Sequence, residues 1–171
     1  LTETTLEQTC GYGLDPLCQK AAGLIRSLCA APDADVHFLV GGTQANLLTI
    51  EALTKPYEAV IAAHTGHIHV HETGAVEATG RKILAVPSPD GKLTPAMIES
   101  VPELHGNEHQ VKPAMAYVSN TTETGTAYSK AELTALRQCC DRHGLLLFLA
   151  GARLGSALAC SDLTLPDYAA L

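Results

Sequence analysis

Residues 129–150 read SKAELTALRQCCDRHGLLLFLA, and the change of rhythm inside this stretch decides the fold. Ser129 followed by Glu132 is a capping box: the hydroxyl accepts from an amide at the helix start, and the glutamate reaches back to the serine amide. The predicted helix runs to Gly144, a natural C-terminal stop. LLLFLA, residues 145–150, follows at once without polar alternation and predicts a strand buried on both faces. A helix that gives way in one residue to an apolar strand is half of a βαβ crossover, so the chain on either side should repeat the alternation.

It does. Upstream, AMAYVSN (114–120), KILAVP (82–87), AVIAA (59–63) and VHFLV (36–40) each predict a strand, the last bounded by Ala-Pro-Asp-Ala-Asp and by Gly41-Gly42. TQANLLTIEALT (43–54) predicts a helix, and Thr94-Pro95 opens another with a cap and a proline at the first helical position. Asp15-Pro16 gives the same signal ahead of an apolar stripe at Leu17, Ala21, Leu24, Ile25 and Leu28. HGNEHQVKP (105–113) is a polar loop. Near-continuous apolar strands separated by helices predict an α/β domain, a mostly parallel sheet covered on both faces.

Composition narrows the function. With 11 Lys plus Arg against 18 Asp plus Glu, a net charge of −7 and no basic block, the chain repels polyanions, which argues against a nucleic-acid partner. No apolar run has the length of a membrane span and TETTLEQT is no signal peptide, so the expectation is an intracellular, cytoplasmic protein away from membranes. Six irregularly spaced cysteines without a CxxC read as reduced small hydrophobes rather than bridges or metal ligands. The start at Leu1 and the stop at Leu171, inside a patterned segment, suggest part of a longer protein.

Ligands of open α/β sheets bind beyond the carboxyl ends of the strands. After VHFLV stands GGTQAN, where Gly41, Gly42 and Thr43 at a helix start suit a phosphate or simply form a capped turn. After AVIAA stands HTGHIHVHE. Extended, His67, His69 and His71 share a face that could hold a divalent metal; helical, His67 and His71 share a face and His69 points elsewhere. After AMAYVSN come Asn120, Thr121, Thr122 and Glu123, which can orient a ligand or cap a turn. After LLLFLA comes Arg153, suited to a carboxylate or phenolate oxygen or to an ion pair.

In order and at compatible spacing, EQTCGYGLD, FLVGGTQANL, HETGAVEATG, PDGKLTP, SNTTETGT and FLAGARLGSAL resemble the threonine aldolase and β-eliminating lyase group of pyridoxal-phosphate (PLP) enzymes, of fold type I, nearest to the low-specificity L-threonine aldolase type. The resemblance implies a three-layer αβα large domain, incomplete here: residues 1–171 would be part of the PLP-binding domain, without the small C-terminal domain. It implies that Gly42 and Thr43 hold the cofactor phosphate, that His67 stacks on the pyridine ring as a platform rather than as a metal ligand, and that Arg153 reaches the phenolic oxygen or the substrate carboxylate. Asn120 would lie at the cofactor's other polar edge. His67 and Arg153 are the expected catalytic residues, and no metal is expected. Substrate would be a small amino acid and the parent protein a homodimer or homotetramer.

Three positions depart from the family pattern. Ala150 stands where an aspartate keeps the pyridine nitrogen protonated, and a methyl group accepts no hydrogen bond. The Schiff-base lysine is expected beyond Leu171, since neither Lys112 nor Lys130 is placed for it. Thr122 occupies a position that is histidine in many bacterial threonine aldolases, so the base for the substrate hydroxyl is open, with His67 or His71 as candidates. The implied activity is retro-aldol cleavage of L-threonine or L-allo-threonine to glycine and acetaldehyde by the parent, with this chain inactive as it stands. The alternatives are β-elimination from another amino acid, or a catalytically inactive pseudoenzyme.

Overall fold

Strand β1 (Glu58–Ala63) is buried at every position, as a strand with neighbours on both edges and helices on both faces must be. In this computed structural model, which describes residues 4–171, β1 pairs in parallel with β2 (Lys82–Val86) and β3 (Lys112–Ser119), and β3 pairs in parallel with β4 (Leu146–Ala150). The resulting order is β2-β1-β3-β4. The predicted α/β class and the strands at 59–63, 82–87, 114–120 and 145–150 are therefore present, β3 starting two residues earlier than its apolar pattern.

Register sorts the side chains onto two faces. Val60 lies beside Ile83 and Met115, Ala62 beside Tyr117, and Tyr117 beside Phe148. These pack in one cluster with Ile50 of α2 (Gly42–Leu53), Ile68 of the single turn α3 (His67–Val70) and Val76 of α4 (Ala75–Ala78). Each large aliphatic side chain so buried is worth roughly 1.5–3 kcal/mol. Ile61, Ala116 and Val118, of the opposite parity, are buried too. On that side α6 (Lys130–His143) packs on β4 and on α5 (Pro95–Glu99) and buries Leu133, Leu136, Cys139 and Cys140. The β1–β2 crossover thus uses α3 and α4, whereas the later crossovers use α5 and α6. The reversal of direction about β1 and β3 is a topological switch point, where a crevice opens at the strands' carboxyl ends.

The helix ends follow their sequence signals. Ser129 Oγ accepts from the Glu132 amide while Glu132 returns a carboxylate to the Ser129 amide, and Gly144 closes α6 in the left-handed conformation at φ 65°. Thr94 Oγ1 accepts from the Met97 amide. A 3-10 turn at Pro102–His105 interrupts the loop before β3. Helix α7 (Leu154–Cys160) follows β4. No helix among the described residues is long and apolar enough to cross a membrane, and all six cysteines are free.

Segments 4–40 and 164–170 form a unit distinct from residues 41–163. In it, Asp15 Oδ1 accepts from the amides of Leu17 and Cys18 and starts α1 (Pro16–Leu28) as expected. The stripe of Leu17, Leu24, Ile25 and Leu28 is exposed, however, and Ala22 is the buried residue of this helix. α8 (Leu165–Ala170) belongs to the same unit. The expected strand at 36–40 is a correction: VHFLV forms no ladder, and Phe38, Leu39 and Val40 are exposed. Strand propensity describes fitness for a pleated surface, and no described strand pairs with this segment.

Candidate active site

The crevice at the switch point is a cavity of about 510 Å³. Its floor and walls come from four places that the fold brings together: the first turns of α2, His67 at the start of α3, the carboxyl end of β3 with Glu123 beyond it, and the carboxyl end of β4 running into Arg153. Gly41 precedes α2 in extended conformation with no side-chain cap. A Cβ built on Gly42 would meet nothing within 4 Å, so the backbone here is open to a ligand. The N-cap of this 12-residue helix supplies no side-chain cap, and a glycine-led helix start with its positive dipole end has the chemistry that binds a phosphate.

His67 borders the cavity and is held from behind. Its Nδ1 lies 2.9 Å from Glu72 Oε1, the same oxygen that accepts from Asn46 Nδ2 at 2.6 Å. Glu72 has a fully buried side chain, and its second oxygen, Oε2, has no partner. A buried carboxylate on one ring nitrogen fixes the orientation of the imidazole and favours a proton at Nδ1. His71 sits against His67 with ring centroids 5.5 Å apart, whereas His69 is exposed. This is the helical alternative of the two arrangements open in the sequence.

Arg153 enters from the β4 side. Its Nε donates to the Thr121 carbonyl at 3.1 Å and its Nη2 to Glu123 Oε1 at 3.0 Å. Ser119 Oγ donates to that same carboxylate oxygen at 2.8 Å, and Ser119 is the register neighbour of Ala150. One acid, one guanidinium and one hydroxyl thus line the cavity together with Ala150. Tyr117 stacks edge-on to Phe148, with centroids 5.4 Å apart. Its hydroxyl is buried without a hydrogen-bond partner, and the neighbouring Ser119 hydroxyl donates to Glu123. Burial pushes the phenol up to about 12, against a small lowering by the nearby Ser119 hydroxyl.

Of the residues singled out in the sequence, Gly42, Thr43, His67, Ala150 and Arg153 line this cavity. Asn120 does not: it is fully buried behind it, and its Oδ1 accepts from the Tyr128 amide. Thr122 is also turned away, its hydroxyl clustered with those of Thr124 and Thr126, and both of these donate to the Asp90 carbonyl. No lysine lines the cavity among the described residues. Sequence reasoning passed over Asn46, Tyr117 and Ser119. The signal for them was periodicity: Asn46 lies one turn beyond Gly42 on α2, and Tyr117 and Ser119 alternate along β3 on one face.

The profile of the β-eliminating lyase family matches residues 5–171. The chain belongs to that family. A low specificity L-threonine aldolase of Pseudomonas sp. (strain NCIMB 10558) is 37% identical over 150 residues, which is 86% of this chain and 43% of that protein. The solved structure of Leishmania major threonine aldolase superposes with a TM-score of 0.96 at 53% identity, over 99% of this chain and 50% of that one. An archaeal alanine:glyoxylate aminotransferase shares the fold at a TM-score of 0.71 and 19% identity. The chain spans about half the length of the relatives it matches. As a β-eliminating lyase family member with a mixed α/β domain and a parallel sheet, it has the partial large-domain architecture of fold type I enzymes.

Proposed function

We propose that the protein carrying this chain is a PLP-dependent aldehyde-lyase that cleaves L-threonine or L-allo-threonine to glycine and acetaldehyde. The observation that supports this most is the cavity itself, where an uncapped helix start, a carboxylate-held imidazole and an arginine converge at the switch point of the sheet. The residues fit a pyridine phosphate at two of its three ends. Gly42 and Thr43 offer backbone donors to the phosphate, and His67, fixed by Glu72, offers a ring face. Tyr117, which lines the cavity, has a buried hydroxyl without a partner, as a cavity shaped for a polar ligand leaves behind. The third end does not fit in the same way, since Ala150 offers a methyl where the ring nitrogen wants an acceptor.

When bound, the cofactor supplies an electron sink for the carbanion left as the Cα–Cβ bond opens. The chain's own residues bind and orient. The Arg153 guanidinium, anchored at Nε and Nη2, is set to hold a carboxylate or phenolate oxygen with its remaining donors. His67 holds the ring and, through the Glu72 carboxylate, can carry a proton at Nδ1 while Nε2 faces a substrate hydroxyl. Asn120 acts from behind the site by fixing the Tyr128 amide and the turn after β3. The amine that links cofactor to protein is proposed to come from outside this stretch, and the stretch alone is proposed to be inactive. The working enzyme is proposed to be a cytoplasmic homodimer or homotetramer.

The test uses the full-length protein with Ala150 and with Ala150→Asp. Addition of PLP to the Ala150→Asp protein should develop visible absorption, and threonine should then release glycine. A folded Ala150→Asp protein that gains no colour refutes the proposal. Ala150 favours a second reading, a pseudoenzyme that kept the fold. That reading wins if the native protein neither binds PLP nor turns over any amino acid.

A further inference from the structure

At the opposite end of the sheet from the cavity, three side chains with metal-binding chemistry meet. α6 runs back from the end of β3 to the start of β4, so its last turn lies beside the amino ends of the strands. Cys139 and His143 are four residues apart on that turn and so share one face of the helix. Glu99, the last residue of α5, faces them. Its Oε1 lies 3.8 Å from Cys139 Sγ and 3.5 Å from His143 Nε2, and one ligand atom from each of the three lies within 4.8 Å of the other two.

With metal–sulfur near 2.3 Å and metal–oxygen and metal–nitrogen near 2.0–2.1 Å at tetrahedral angles, zinc requires sulfur and oxygen about 3.6 Å apart and nitrogen and oxygen about 3.4 Å apart. Two of the three separations already stand within ~0.2 Å of those values. The sulfur is fully buried while the imidazole and carboxylate are partly exposed, which leaves a path for the ion and room for a water as fourth ligand. The nearest cation is Arg142, which donates to Glu99 Oε1 at 3.0 Å. That bond is exposed, so the competition costs the site little, and the second carboxylate oxygen can keep it. Burial and the Glu99 charge both raise the Cys139 thiol, and a bound divalent ion reverses that preference by taking the thiolate as ligand.

We propose that Glu99, Cys139 and His143 form a site for a soft divalent cation of the zinc type, a clip that fastens α5 to α6 apart from the catalytic cavity. The site does not depend on the proposed lyase activity. Its test is Co2+ titration of the chelator-treated, PLP-free full-length protein, followed by thermal unfolding with and without Zn2+. One equivalent of Co2+ should give a sulfur-to-cobalt charge-transfer band, and Zn2+ should raise Tm. Cys139→Ser should abolish the band, and His143→Ala, at a half-exposed position outside the core, should weaken binding by at least about tenfold. Cys140→Ser and the pair His67→Ala with His71→Ala should leave band and Tm shift intact. No band in the folded wild-type protein overturns the proposal, as does a band that survives Cys139→Ser or is lost with the His67 and His71 pair.

Discussion

Tyr117→Phe should make the protein more stable, and increasingly so as the pH rises. The hydroxyl is buried with no hydrogen-bond partner, a condition that costs about 1–3 kcal/mol, while the ring contacts with Phe148 survive the substitution. At neutral pH the expected gain is therefore about 1 kcal/mol, or ~2–4 °C in Tm. The phenol titrates near 10 in the unfolded chain and at about 12 when folded, so between those values the unfolded state holds fewer protons and stability falls as pH rises. At pH 11 the difference amounts to ~1.4 kcal/mol, approaching ~2.7 kcal/mol above both values. Cys140, pushed up to about 11 by burial, titrates in the same window in both proteins and cancels. Urea unfolding of wild type and variant at pH 7, 9, 10 and 11 measures the gap. A variant less stable than wild type at pH 7, or a gap that stays flat from pH 9 to 11, would refute the reasoning.

Two further substitutions probe the scaffold that holds the cavity. Arg81 is buried and donates to the carbonyls of Glu51, Thr54 and Thr79, tying down the C-terminal end of α2, so Arg81→Met should cost about 3 kcal/mol by leaving carbonyls unpaired, visible as a lower urea midpoint at unchanged slope. Ser129→Ala removes half of the capping box of α6 and should cost about 1 kcal/mol, ~2–4 °C in Tm by calorimetry; no change would mean that Glu132 holds the helix start alone.

What the sequence disclosed followed the physics of local signals. Capping residues and glycine stops act within one turn, so the roles of Asp15, Thr94, Ser129 and Gly144 could be read from their immediate neighbours in the chain. Apolar parallel strands announce themselves by losing polar alternation, which located β1 to β4, although β4, expected to be buried on both faces, lies at the sheet edge with no fully buried position. VHFLV carries the same composition and is not a strand, because a ladder needs a partner and composition cannot supply one. Within the cavity, residues adjacent to a strand end or helix start were legible. The pairing of Asn46 with Glu72 was not, since that bond spans 26 positions of sequence. Asn120 has the right chemistry one residue past a strand end, yet the chain turns there and its side chain serves the Tyr128 amide instead.

Ala150 takes on a different meaning once its surroundings are known. Glu123 already brings a carboxylate to this end of the cavity, satisfied by Arg153 and Ser119. A second carboxylate at position 150 would enter the same partly buried end of the cavity, where Arg153 is already engaged by Glu123. Like charges placed together out of water disfavour each other's ionised form, so an aspartate here is a burden on the empty protein. A protonated ring nitrogen bound in the cavity would supply the missing positive charge and turn that burden into an attraction. Alanine is thus the stabler residue when nothing is bound, and aspartate the useful one when the cofactor is. This is the trade between stability and activity expected of functional positions, and it fixes the sign of one comparison. Ala150→Asp should lower Tm without PLP and narrow or reverse that loss with it, whereas a loss of equal size in both conditions would show that nothing with a positive ring nitrogen binds against residue 150.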